Sequence, residues 1–593
     1  MKRSFLTVAG SILGLAILAT AAVAANSVVD LVPPEALGFA AVQNLGHTDE
    51  KLESLGRKMQ VPIPSLLDQL KKEGGITEGL DERGSAAMIA MPAMNSDEPP
   101  IMILVVPVDD YEKFLGQFEP EEPKGGLTEI TAMDAAFVAA NKDGYALLAE
   151  PKHRKTLKAV LADKKGPGKE VDALADWLAA NDASLVVTRP GVVLISEKIQ
   201  KTLREMKDLF DSMEGQEAEV QGNFQMMSMV FSIYGEFAAA MGREVATLSA
   251  GVQLPDDGSV VGVARLQAVE GGRLDRTTRN LETPVNELLV GIPAGPYVLA
   301  GGMAFPEGLV DAMSDFSAAV IQAAPGIYGV PEDKIDEMTE INRKTMENFH
   351  GMSMALKVGE PGSPIYGNLS GAMFVDDAEK YLDTYREAIE EMKKLADDAE
   401  KSVFAGMKVK QFDLDGKKAL RLTMNFASML PMMDEPEIAR MFEAMYGPGG
   451  KMTFLMAAAN EKTVAMGSTE ELLEDAIESV EGDNLADDTE LKKTAARLLP
   501  GAQAVGYYSV PGLVALIDRA IPAIAPPGTP EIDLPPFPDT PPIGFAAKAS
   551  EGTVNLQTIV PGEVLGSLMG YFIQVQMQQM QQQQLENAPA DQI

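Results

Sequence analysis

An eight-residue stretch occurs twice in this chain. Val-Asp-Asp-Tyr-Glu-Lys-Phe-Leu at 108–115 returns as Val-Asp-Asp-Ala-Glu-Lys-Tyr-Leu at 375–382. Each copy closes an apolar run, 101–106 and then 372–375, and each opens a stretch with helical spacing. The pattern predicts a strand that hands over to a helix, with an Asp accepting free backbone N–H groups of the first turn. Its repetition predicts a duplicated unit, so the chain should fold as two related halves rather than as the four domains its length alone would allow.

The rest of the sequence fits that division. A Pro-led strand opens the first half near Pro33 and reappears near Pro293. Hairpins are predicted at Asp143-Gly144, around Pro255-Asp256-Asp257-Gly258, at Asp413-Leu414-Asp415-Gly416 and at Asn460-Glu461, all turn signals between apolar runs. Strands joined by tight hairpins, with helices returning over them, define α+β: two tandem repeats of antiparallel meanders with helices packed on one face. We expect a signal segment at 1–24, a first repeat at 25–285 with an inserted apolar helix at 223–241, and a second repeat at 286–573. The second repeat carries an extra hairpin at 405–425 and, at 521–542, a loop with nine prolines that must run extended. Residues 574–593 form a Gln-rich tail that prolongs a helix starting near Pro561.

Lys2 and Arg3, an apolar run at 5–18 and then Ala22-Val23-Ala24 give the three parts of a secretory signal. Cleavage after Ala24 would place the protein in the periplasm or cell envelope. Retention of residues 5–25 as an N-terminal membrane anchor is the alternative. The Pro-led first strand, the Val-Asp-Asp-x-Glu-Lys handover at 108–113, the hairpin and the helix beginning Ser-Thr-Glu-Glu-Leu-Leu at 468–473 together resemble a family of exported bacterial proteins known only as a domain of unknown function. That resemblance implies export and an α+β repeat. It implies no catalytic residue and no ligand.

Fifty basic against 87 acidic residues give a formal net charge of -37, a field that repels nucleic-acid phosphates. There is no cysteine, which removes disulfides, thiolate metal sites and cysteine nucleophiles together. The three histidines, His47, His153 and His350, lie on different elements without the i, i+4 spacing of a zinc helix. Gly447-Pro448-Gly449-Gly450-Lys451-Met452-Thr453 fails as a phosphate loop, because Met452 stands where Ser or Thr must reach magnesium. Gly351-Met352-Ser353-Met354-Ala355 is the nearest approach to a nucleophile elbow and sits entering a strand. The 34 methionines cluster at Met88, Met91 and Met94, at Met226, Met227 and Met229, and at Met429, Met432 and Met433, where filling apolar space is the expected role. No catalytic residue, cofactor or metal is expected.

Two surfaces remain. The helix at 223–241 is too apolar for full exposure, so Phe224, Met227, Met229, Phe231 and Tyr234 are a candidate hydrophobic contact. Lys152, Arg154 and Lys155 have as counterparts, on the equivalent helix of the other half, Glu470, Glu471 and Glu474, a candidate charge-pairing surface that would attract the halves or join molecules head to tail. The reading is therefore an exported, non-catalytic binding or structural scaffold of the periplasm or cell envelope, with an envelope protein, a hydrophobic ligand or a second copy as candidate partners and no nucleic acid. The alternative is a periplasmic carrier of a lipid or other hydrophobic ligand held between a curved sheet and a Met-rich helix.

Overall fold

The computed structural model describes residues 28–586, apart from 94, 96–97, 133–134, 164–165, 213–220, 280, 282–287, 307–330 except 308, 310, 314 and 318, 396–405, 426–435 and 525–533. The signal segment 1–24, with its alternative as an anchor, lies outside the described residues. Among those residues no helix is long and apolar enough to cross a membrane.

The chain divides into two compact units. Residues up to 202, 235–276 and 551–562 form the first; 203–234, 277–550 and 563 onward form the second. The first unit holds β1 (Gly38–Val42), β2 (Ala86–Met91), β3 (Ile101–Pro107), β4 (Thr128–Ala132), β5 (Ala135–Lys142), β6 (Tyr145–Ala149), β7 (Ala183–Val187), β8 (Val245–Gln253) and β9 (Val260–Ala268). All pairings are antiparallel, in the order β4-β5-β6-β3-β2-β1-β7-β8-β9. Beyond β9 lies Thr553–Val560, from the far end of the chain, paired from Thr553↔Gln267 to Val560↔Val260. The division is therefore not a single cut.

The second unit holds β10 (Tyr297–Ala304), β11 (Phe349–Lys357), β12 (Leu369–Val375), β13 (Met407–Leu414), β14 (Lys417–Asn425), β15 (Lys451–Asn460), β16 (Thr463–Gly467), β17 (Ala504–Tyr508) and β18 (Ile543–Ser550); Thr553–Val560 is then β19. Its order is β13-β14-β15-β16-β12-β11-β10-β17-β18, again antiparallel throughout. The hairpin expected at 405–425 is β13 and β14. The α+β class holds, with the sheets carrying most of the order.

Local chemistry fixes these elements where the sequence placed them. At the β5–β6 turn Asp143 and Gly144 have φ of 54° and 85°, and at the β13–β14 turn Asp415 and Gly416 have 50° and 82°, the paired positive angles that match a hairpin's twist. In the two copies of the octapeptide, Asp110 accepts from Lys113 N at 3.1 Å and Asp377 from Lys380 N at 3.0 Å. These bonds cap the helices Tyr111–Gly116 and Ala378–Leu395. The hydrogen bonds from Lys113, backbone first and then side chain, hold the Asp110 carboxyl below its usual range.

Helices do not keep to one face. Successive side chains of a strand point to opposite sides, yet all five residues of β6 are buried. Leu147 packs with Phe39, Ile103, Leu157 and Leu174 on one side. Leu148 packs with Phe114, Phe137 and Ile130 on the other. In the second unit Ala457, Ala465 and Ala419 meet Leu473 and Ala476 of the helix Glu470–Glu481. Across the same strands Met456, Val464 and Leu420 meet Tyr381 and Leu382 of Ala378–Leu395. The expectation of a single covered face is thus corrected: wholly apolar strands such as Tyr-Ala-Leu-Leu-Ala need cover on both sides.

The apolar helix expected at 223–241 is part of Gln221–Glu244, which follows Arg189–Ser212. Ser196 Oγ donates to Ala238 O at 2.6 Å and ties their bases together. The Pro-rich stretch starts later than expected, because the helix Val510–Ile524 carries Pro522 in its last turn. Residues 534–542 have no regular structure and 525–533 lie outside the described residues. The C-terminal helix Gly562–Glu586 extends into the Gln-rich tail.

Candidate functional site

Register in the second unit puts one row of residues side by side across seven strands. Phe545 on β18 opposes Gly506 on β17, which neighbours Gly301 on β10. Gly301 opposes Met354 on β11, and Met354 opposes Gly371 on β12. Gly371 opposes Met466 on β16, which opposes Met456 on β15. At about 4.8 Å per strand, this row is on the order of 30 Å long. All its side chains share one face of the sheet.

Three of the seven positions have no side chain, so the row is a trough. A Cβ on Gly301 would lie 2.5 Å from Val505 O, and one on Gly371 would collide with Ser353 O. The backbone therefore permits only glycine there, and the floor stays bare. Flanking rows raise the walls: Leu299 and Met303 on β10, Met352 and Met373 paired across β11 and β12, and Phe454 opposite Leu422. At the inner end Met352, Met354, Met373, Met424, Met456 and Met466 surround a pocket of ≈ 270 Å³ with Tyr385 at its edge. This lies near the lower bound of small-ligand sites, roughly 300 Å³.

The face is open as well as apolar. Leu299 is 50% exposed, and Met303, Met354 and Phe545 are each 41% exposed. Tyr381 OH donates to Met373 Sδ at 3.8 Å, anchoring the helix Ala378–Leu395 over the inner end. Burial pushes the Tyr385 hydroxyl pKa above its usual value, so it stays a neutral donor. Thioether side chains reshape around irregular apolar partners, and unbranched methionines lining a trough suit a ligand without a fixed outline.

No protein-family model, curated protein or solved structure matches this chain. The site is read from its own geometry.

The residues singled out from the sequence lie elsewhere. Phe231 is buried and Tyr234 is 59% exposed on Gln221–Glu244; the side chains of Phe224, Met227 and Met229 lie outside the described residues. Arg154 pairs with Glu129, Lys152 with Glu150 at 2.6 Å, and Glu470 with Arg421 at 2.6 Å, so three of the six expected pairing charges have partners within their own unit. Lys155, Glu471 and Glu474 lie on the helices Arg154–Ala162 and Glu470–Glu481. Met88 and Met91 are core residues; Met94, Met429, Met432 and Met433 lie outside the described residues.

The chemical candidates resolve locally. Among the described residues no group of three His, Asp or Glu side chains is placed to hold a metal. His47 neighbours Glu50 at 3.8 Å and His350 Nε2 meets Asp376 Oδ1 at 2.7 Å, both at the surface. Burial, with Lys152 adding to it, lowers the His153 pKa. Ser353 Oγ donates to Val290 O at 2.5 Å and accepts from Ala372 N at 3.1 Å, so its hydroxyl is occupied in holding β11 to β12. Gly447–Lys451 is a tight turn before β15, with Gly447 at φ 110°.

Signals for the trough were present but scattered. Gly301, Gly371 and Gly506 each interrupt an apolar strand, which marks close backbone approach. Only the register shows that they line up.

Proposed function

We propose that this protein is an exported, non-catalytic carrier that binds an elongated apolar ligand along the glycine-floored, methionine-walled trough of its second unit. One observation carries the reading: the outer part of the apolar row, from Phe545 on β18 to Met354 on β11, lies open to solvent, although a sheet face of this composition would ordinarily be covered. A scaffold acting through its surface has no use for a bare glycine floor. In this reading the Met-rich surface that holds the ligand belongs to the sheet itself, not to the helix at 221–244.

The same reading takes the chain as a duplication. The order β4-β5-β6-β3-β2-β1-β7-β8 in the first unit parallels β14-β15-β16-β12-β11-β10-β17-β18 in the second, with β13 added at one edge. The two Asp caps fall at equivalent places. Export follows from the pattern of residues 1–24, and the family resemblance noted above agrees with both.

The test is ligand recovery. Protein purified from its native envelope is extracted with organic solvent and weighed intact by native mass spectrometry, and displacement of a fluorescent long-chain probe is measured. A co-purifying apolar molecule, displaced by the probe, is the expected result. Met354→Glu should abolish probe binding with the circular dichroism spectrum unchanged, since the side chain is 41% exposed and a charge there costs the fold little. A clean apo mass with no probe binding rejects the carrier.

A further inference from the structure

One side of the first unit's sheet carries a second feature, independent of the trough. On β8, β9 and β19 the face turned away from Leu556 carries a group of polar side chains among apolar ones. Ser249 opposes Arg265, and Arg265 opposes Asn555. Gln557 sits one position diagonal to Arg265, because it opposes Val263. Directly opposed side chains are about 5 Å apart at Cβ and diagonal ones about 7–8 Å, within reach of a guanidinium.

Three of these groups are buried without a partner: Ser249 Oγ, Arg265 Nε and Gln557 Oε1. Among the described residues no carboxylate pairs with Arg265, in a chain with 87 acidic residues. Burial alone lowers its pKa. A half-buried guanidinium without a counter-charge is among the costlier arrangements a fold can hold. Ser249, 5% exposed, can turn its hydroxyl to donate. The Gln557 amide can equally present its NH₂, since oxygen and nitrogen exchange by a flip. Asn555 is already engaged, donating to Thr553 Oγ1 at 3.1 Å. The cluster therefore offers one fixed positive charge and up to three neighbouring donors, with no acid among the described residues to satisfy them.

We propose that Arg265, Ser249 and Gln557 form an oxyanion-binding site that takes a carboxylate or phosphate group presenting two oxygens side by side. The Nε edge of a guanidinium pairs such a group bidentately, and the hydroxyl and amide close the remaining oxygen positions. Nothing in this site requires an apolar chain, so it stands or falls apart from the trough.

The experiment uses the full chain at pH 7 and constant ionic strength. Thermal unfolding and calorimetric titration are run with sodium phosphate, with sodium acetate and with chloride as the control anion. Phosphate or acetate should raise the melting temperature and titrate as a single site, and whichever binds tighter identifies the class of oxyanion. Arg265→Gln should weaken that binding at least tenfold and Ser249→Ala several-fold, while Lys169→Gln, elsewhere in the same unit, should leave it unchanged. Should Arg265→Gln fail to fold, Gln557→Leu, which keeps the charge and removes the amide, must still weaken binding. An equal response in Arg265→Gln and the unaltered protein, or a response to neither anion beyond chloride, overturns the proposal.

Discussion

Asp182, fully buried at the start of β7, offers a stability measurement whose size follows from the structure. Its Oδ2 accepts from Leu254 N at 2.7 Å, while Oδ1 is buried without a partner. Burial raises its pKa from 3.8 to about 7, against the smaller opposing effect of the Leu254 bond. Below pH 3.8 the carboxyl is protonated folded and unfolded, and contributes no pH dependence. Between pH 3.8 and 7 the unfolded chain ionises while the folded one keeps its proton, so the unfolded state gains and stability falls as pH rises. Above pH 7 both are ionised and the penalty is constant, roughly 4 kcal/mol at most. Asp182→Asn removes this pH-dependent part. The amide oxygen can still accept from Leu254, and the new NH₂ inherits the orphan position at a cost of about 1–3 kcal/mol at every pH. Urea unfolding of both proteins from pH 4 to pH 8 should show the variant gaining on the parent by about 2–4 kcal/mol across the range, with the change levelling off above pH 7. Every other titrating group is common to the pair and cancels. Parallel stability curves would refute the assignment of a buried, protonated carboxyl.

Two further substitutions test the framework. Asp377→Ala removes the cap of Ala378–Leu395 and should cost about 0.5–2 kcal/mol, seen as a lower urea midpoint with an unchanged slope. Leu157, fully buried against the β6 side of the sheet, should cost about 2–5 kcal/mol on replacement by Ala, and near-wild-type stability there would disprove the packing assigned to Arg154–Ala162.

Much of the fold was legible because its determinants are local. The Asp-Gly turns, the two Asp caps and the alternation or continuity of apolar residues each act within a few positions, and each appears where expected. Tyr-Ala-Leu-Leu-Ala at β6 also held the information that the sheet is covered twice, since a strand apolar at every position has no face for water. The trough was illegible for the opposite reason. Met354 and Gly371 are close in sequence, but Gly301, Met466 and Phe545 reach them only through pairings decided by the whole sheet. The polar row at Ser249, Arg265 and Gln557 is harder still, joining β19 to strands almost three hundred residues earlier. Arg154 and Glu470 each meet an opposite charge on an adjoining strand, Glu129 and Arg421, which charge counting along the chain does not reveal.

The position of β19 has a consequence for how the molecule is made. The first unit's sheet ends in a strand that leaves the ribosome almost three hundred residues after its partner β9. Until then β9 presents a row of unpaired N–H and C=O groups along Val260–Ala268, the kind of rim on which neighbouring nascent chains stack. A product truncated anywhere before Thr553 would carry that open rim permanently, and would be expected to clump however well its remaining strands had assembled.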